Sequence, residues 1–265
     1  MTLAPLRHKV AVLLLATALG APGTLRAQDA ATASAVADSM PGRHPAIRVG
    51  ELLTFSVRYG KIPAGEATLA IADSATVDGH LCFHVVSTAS SSAVFDKVYP
   101  VRDRYESFMD VDSLWSRHFE KHLREGRYKA DQVVRLDQEE RKARYHNGRE
   151  FDIPRGTYDV LSAFYRVRTM PLAPGEVFYL DSHADRNNYA IKVNVVGRER
   201  VETPAGEFEC LVVEPWLRSG AFFKSEGRLT IWLTDDDRRI PVQMRSKIPI
   251  GSISCVLTAA VRPGM

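Results

Sequence analysis

Hairpin turns are the feature that most narrows what this chain can fold into. Asp78-Gly79 stands between strand-like runs at 68–77 and 81–88, and Asn147-Gly148 between runs at 141–146 and 149–153. Glu125-Gly126 divides 115–124 from 127–136 in the same way. Two-residue hairpins need positive φ, which Gly, Asn and Asp adopt at little cost, so Asp-Gly and Asn-Gly between alternating apolar runs are strong hairpin signals. Two more polar tips, Asp235-Asp236-Asp237 and Ala184-Asp185-Arg186-Asn187, separate 228–234 from 239–247 and 177–180 from 189–196. The flanks are β-branched and aromatic, and Tyr189, Ile191, Val193 and Val195 share one face. Parallel strands would need crossovers of about a dozen residues, so connections this short dictate antiparallel sheet.

One turn sequence occurs twice. Pro63-Ala64-Gly65-Glu66 and Pro204-Ala205-Gly206-Glu207 are identical. In each, Pro fixes an early φ and Gly adopts the left-handed conformation that closes a three-residue hairpin with a bulge. Recurrent turn chemistry explains the pair more simply than duplication of a half-barrel, because the flanking residues differ. A single convincing helix runs over 157–168. Thr157 is its expected N-cap, Asp159 lies in its first turn, and Val160, Leu161 and Phe164 form an apolar stripe that faces the sheet before Pro171 stops the run. A shorter helical turn is expected near 91–98. A dozen or more strands with one packed helix predict an all-β fold: an antiparallel meander curved into a barrel-like or half-barrel sheet, since open sheets this wide curl or split.

The ends of the chain read differently from its middle. Arg7, His8 and Lys9 precede an apolar run over 10–19, followed by Gly20, Pro22 and Gly23 and by Leu25-Arg26-Ala27, the three regions of a cleavable signal peptide. The run is about half the roughly 20 residues of a membrane-spanning helix. Residues 1–27 are therefore read as a leader, 28–46 as a flexible linker without aromatics, and 47–262 as one β-rich domain with no later transmembrane segment. The first cysteine is Cys82, which predicts a mature protein that is exported, soluble and not a lipoprotein.

Charge excludes one class of partner. The chain has 35 basic and 32 acidic residues, but Arg7, Lys9 and Arg26 fall in the leader with no acid, so the remainder is formally neutral and no nucleic-acid partner is expected. Cys82, Cys210 and Cys255 each lie in a strand-like run; the sequence leaves open three buried small hydrophobes or one bridge in any of three pairings, and their spacing fits no zinc site.

The most tempting chemistry is His118-Phe119-Glu120-Lys121-His122, where two imidazoles and a carboxylate share a strand face. At about 3.3 Å per residue the histidines stand roughly 13 Å apart, too far to close on one ion by themselves. His80 and His84 flank Cys82 on another strand, Asp235 to Asp237 form an acidic tip with too few ligands for calcium, and Trp115, Trp216 and Trp232 read as core. There is no Gly-x-Ser-x-Gly elbow and no phosphate-cradling loop before a helix. No catalytic, cofactor-binding or metal-binding residue is assigned, and no cofactor is expected.

Several strings nevertheless converge on a known pattern. Tyr59-Gly60, Pro63-Ala64-Gly65-Glu66-Ala67, Val101-Arg102-Asp103-Arg104 and Tyr158-Asp159-Val160-Leu161-Ser162-Ala163-Phe164-Tyr165 are followed in order by Thr203-Pro204-Ala205-Gly206 with Cys210, Ile231-Trp232-Leu233-Thr234-Asp235-Asp236 and Ile240-Pro241-Val242. Over about 50–260 they resemble the bacterial domain-of-unknown-function family numbered 3108. The resemblance implies an exported, predominantly β, envelope-associated protein and brings no catalytic residues with it. The expected function is a non-catalytic envelope or periplasmic module whose curved sheet holds a lipid, glycan or other hydrophobic ligand in an apolar concavity. The alternatives are an envelope protein-interaction or assembly component, and a hydrolase or metal enzyme, the last requiring the scattered histidines and acids to converge in one cleft.

Overall fold

The computed structural model describes residues 44–218, 229–247 and 251–263. The expected leader 1–27, and the expected linker apart from its last three residues, lie outside the described residues. Among the described residues, fourteen strands make one antiparallel sheet: β1 Leu52–Tyr59, β2 Ile62–Val77, β3 His80–Ser91, β4 Arg102–Asp110, β5 Ser116–Glu125, β6 Tyr128–Asp137, β7 Lys142–Tyr145, β8 Glu150–Asp152, β9 Val177–Ala184, β10 Asn187–Thr203, β11 Gly206–Arg218, β12 Leu229–Thr234, β13 Pro241–Lys247 and β14 Ser252–Val261. The short helix α1 is Ala93–Asp96 and the longer helix α2 is Val160–Arg168.

The strand order is a meander that starts in the middle. β1 pairs with β2 on one side and β14 on the other, so the sheet grows outward in both directions and ends at β8 and β9, which are consecutive in the chain. These two ends do not form a ladder, and the barrel stays open there. They meet through other contacts: Tyr158 bridges Ser182, Tyr145 Oη lies 2.8 Å from His183 Nε2, and Asn188 Nδ2 donates to the Asp152 carbonyl at 2.7 Å. Curling brings the terminal strands within reach, and side chains stitch what the backbone leaves open.

The turn chemistry holds with one exception. Asp78 and Gly79 both have positive φ between β2 and β3, and Asp185 and Arg186 do the same between β9 and β10 without any glycine. Pro204 and Ala205 form the turn between β10 and β11, as expected. The identical Pro63-Ala64-Gly65-Glu66 does not turn; the reversal is at Gly60 and Lys61, and the motif lies inside β2, where the pairing with β1 slips between Val57 and Arg58. A Cβ on Gly65 would stand 2.0 Å from the Ser90 carbonyl oxygen, so glycine serves there for close approach to β3 rather than for a turn.

α2 is shorter than its sequence pattern. Asp159, not Thr157, is the N-cap: its Oδ1 accepts from Leu161 N at 2.7 Å and Ser162 N at 3.1 Å, and Thr157 instead donates to the Pro154 carbonyl. The fully buried face carries Leu161, Tyr165 and Arg168, while Val160 and Phe164 are only partly buried. The sheet's inner face is lined by Leu53, Phe55, Leu69, Ile71, Met109, Leu136, Leu211 and Leu233, each under 2% exposed, and α2 lies against it between β4 and β9. The interior is thus filled with side chains and a helix. Cys82, Cys210 and Cys255 are buried free thiols; burial pushes the first up to about 11 and the other two up to about 12, leaving them as small hydrophobes.

Candidate functional site

On β3, β4 and β5 the side chains that face away from the core stand in cross-strand register. His84 pairs with Phe108 and Phe108 with His118; Glu106 pairs with Glu120; Arg104 pairs with His122. Asp73 on β2 and Asp131 on β6 extend the group at either end. Alternation along each strand selects one face, and antiparallel pairing then sets residues from different strands opposite one another about 5 Å apart.

The polar atoms form two hydrogen-bonded groups across five strands, Asp73–His84–Glu106–Arg104 and His118–Glu120–His122–Asp131. His84 Nδ1 is 3.1 Å from Asp73 Oδ1, and its Nε2 is 2.7 Å from Glu106 Oε2. Arg104 Nε donates to Glu106 Oε1 at 2.7 Å. Glu120 is gripped from both sides, by His118 Nε2 at 2.8 Å and His122 Nε2 at 3.1 Å, and His122 Nδ1 reaches Asp131 Oδ1 at 2.8 Å. One donor atom each of Glu106, Glu120 and His122 lie within 4.8 Å of one another. Phe108 stacks on the His84 ring at 4.5 Å and meets His118 edge-on at 5.5 Å, which fixes both imidazoles.

The charges tune one another. The Arg104 guanidinium holds the Glu106 carboxyl below its ordinary value against the opposing effect of burial, with His84 adding to it. Burial raises Glu120, but hydrogen bonds from His118 and His122 outweigh it and leave that carboxyl low as well. Asp131, then Glu120, lift His122 above its ordinary value. Beside the row an open cleft of about 650 Å³ is lined by Phe108, His118, Glu120, Arg135, Arg144 and His146 among others. Its arginines are committed, Arg135 to Asp78 and Arg144 to Asp137, Glu140 and Glu150. A smaller cleft of about 460 Å³ is lined by Lys61, Arg245 and Lys247.

Four of the chain's eight histidines, His84, His118, His122 and His146, therefore gather on one outer surface. The spacing of His118 and His122 along β5 is that of a strand, with Glu120 between them as the sequence places it, and Glu106 from β4 joins them from the neighbouring strand. His80 is elsewhere, 3.2 Å from Arg117 and 3.5 Å from Asp110. Two of the three acids of the tip are paired internally, Asp235 with Arg198 and Arg239, and Asp236 with Arg238. Trp232 is buried, with Nε1 donating to Glu199 at 2.7 Å, and Trp115 is partly buried beneath Arg155. No sequence motif marks Glu106 or Asp131; only the β4–β5 and β5–β6 registers reveal them.

The family model described as "Protein of unknown function (DUF3108)" matches residues 54–258. No curated protein matches the sequence. Among solved structures, a β-barrel-like DUF1849 protein from Brucella abortus is similar at 11% identity and a TM-score of 0.54, over 80% of this chain and 97% of that one, which is a likeness of fold. A provisionally described exported protein with a YmcC-like fold from Bacteroides fragilis matches at 15% identity over 81% of this chain and 97% of that one, with a TM-score of 0.38. Among the described residues no helix is long and apolar enough to cross a membrane.

Proposed function

The chain belongs to the DUF3108 family, and from that premise we propose that it is an exported, non-catalytic binding module of the cell envelope that receives its ligand on the outer face of β3–β6 rather than inside the sheet. One observation carries this reading. The inner face is occupied by large apolar side chains and by α2, whereas the outer face offers a half-exposed row of imidazoles and carboxylates beside an open cleft. A lipid-filled concavity, the sequence-based expectation, finds little room among Phe55, Leu69, Met109, Tyr165 and Leu233. Export is supported by the leader pattern at 1–27. An edge-to-edge assembly role is less favoured: β8 has three residues, and Tyr158 bridges β9 at Ser182.

The test uses the chain expressed with its own leader and recovered from the periplasm. Intact mass should correspond to cleavage after Ala27. Amide chemical shifts followed while envelope extract is added should move at outer-face positions of β3–β6. Shifts confined to inner-face positions such as Leu69 and Phe55 would restore the interior-ligand reading, and a retained leader would remove export.

A further inference from the structure

We propose that Glu106, Glu120 and His122 bind one divalent transition-metal ion on the outer face of the sheet, with His84, His118 and Asp131 positioning them. This deepens the outer-face reading above and rests on it. Four carboxylates, those of Asp73, Glu106, Glu120 and Asp131, stand in the row; Arg104 pairs with Glu106 and Arg124 with Asp131, while Glu120 is held by two imidazoles. His122 has a carboxylate at each ring nitrogen, Asp131 at 2.8 Å and Glu120 at 3.1 Å. A second proton on the ring or a cation beside Glu120 satisfies that arrangement.

The geometry suits a metal ion in that place. Glu106 and Glu120 stand directly opposite each other on adjacent strands, where like charges repel. A cation between them turns that repulsion into ligation. One oxygen of each carboxylate and a ring nitrogen of His122 already converge within 4.8 Å, and metal–nitrogen and metal–oxygen bonds of about 2.0–2.2 Å draw three such donors together with only small side-chain rotations. The surroundings are those of a metal site rather than of an acidic patch. His122 is backed by Asp131, which fixes its tautomer and ring orientation, and each carboxylate has its own support: Arg104 and His84 on Glu106, His118 on Glu120. All the ligands stand on paired strands, so little ordering is left for the ion to impose. One imidazole and two carboxylates match zinc and its neighbours better than calcium or magnesium, which favour oxygen alone. Three protein ligands leave a coordination position open, and Glu120 also lines the cleft, so a ligand there reaches the ion.

The experiment uses the untagged mature chain stripped with a chelator. Zinc is titrated in competition with a chromogenic chelator, and cobalt(II) is added separately for its absorption spectrum. One equivalent of zinc should bind, with a cobalt spectrum of nitrogen and oxygen ligation. His122→Ala and Glu120→Gln should each weaken binding at least about 10-fold, and Asp131→Asn by about 10-fold through loss of support. His80→Ala, in a separate cluster, should leave binding unchanged, and thermal melts should show every variant folded. Wild-type protein that takes up no stoichiometric metal overturns the proposal, since protonated imidazoles then fill the row. So does uptake that His122→Ala and Glu120→Gln leave untouched. If stripped protein that takes up no metal still shows outer-face shifts with envelope extract, the binding-module reading survives while the metal inference falls. Stoichiometric metal uptake without such shifts upholds the metal site and removes the binding module.

Discussion

Two clusters of opposite charges lie on opposite faces of the same sheet, and burial has given them different jobs. On the inner side Glu51, just before β1, receives Arg168 of α2 at 2.7 and 3.0 Å, with Arg262 Nε 2.8 Å away. Glu51 and Arg168 are fully buried, and two further guanidinium donors of Arg168 go to the Arg238 and Arg239 carbonyls. On the outer side the side chains of His84, Glu106, Glu120 and His122 keep 17–33% exposure. In the inner cluster both oxygens of Glu51 are met by guanidinium groups, which ties α2 to the segment leading into β1. The outer cluster sets the like charges of Glu106 and Glu120 opposite each other, and it is open to solvent. A buried pair locks; a half-buried surplus recruits.

The sharpest way to break this contrast is at the lock. Arg168→Met leaves Glu51 charged, buried and short of its main partner, a change that costs about 3–5 kcal/mol in comparable sites. Unfolding in urea should show a loss of that size at an unchanged slope. Replacing Glu51, Arg168 and Arg262 together by apolar residues should cost less than the single change, because it leaves no stranded charge. A loss under about 1 kcal/mol for Arg168→Met alone would mean the inner cluster is not what holds the helix.

How much of this was legible depends on which forces write into sequence. Hairpins marked by Asp78-Gly79 and Asn147-Gly148 could be read because positive φ demands particular residues. The β4–β5 connection could not. Its positive-φ residue is Leu114, and the loop is held by Asp110 Oδ1 accepting from Asp112 N, Ser113 N and Ser113 Oγ, chemistry without glycine, asparagine or proline. That one unreadable turn hid the register that sets Glu106 against Glu120, and with it the site. The Pro-Ala-Gly-Glu repeat shows the opposite error: identical residues turn at 204–207 but run straight at 63–66, where β3 crowds the glycine and tertiary context decides. Nothing in the local sequence marks Arg168 as buried, because its partner is 117 positions away.

The seam between the sheet's ends tests whether burial alone is enough to change a residue's job. His183 is 2% exposed, and burial lowers its pKa from 6.5, with Asn188 only partly offsetting it. A histidine depressed in the folded state binds protons more readily when unfolded. Its contribution to stability is present above about pH 6.5 and is lost as pH falls toward the folded value. Urea midpoints should therefore fall between pH 7.5 and 5.5, and His183→Gln should flatten that fall. An unchanged pH slope in the variant would remove His183 from the seam's energetics.

The smallest expected effect is the one that completes the contrast. Glu120→Gln keeps the shape of the outer row and removes one of two facing negative charges, at a position where water screens what remains. Stability in metal-free buffer should change by less than about 0.5 kcal/mol in either direction, against the several lost at Arg168. The two numbers belong together. A residue that costs the fold almost nothing, yet is held by two histidines and set opposite another carboxylate, is arranged for something other than folding. If Glu120→Gln instead destabilised the domain as much as Arg168→Met, the outer row would be a second lock, and the division of labour between the faces would disappear.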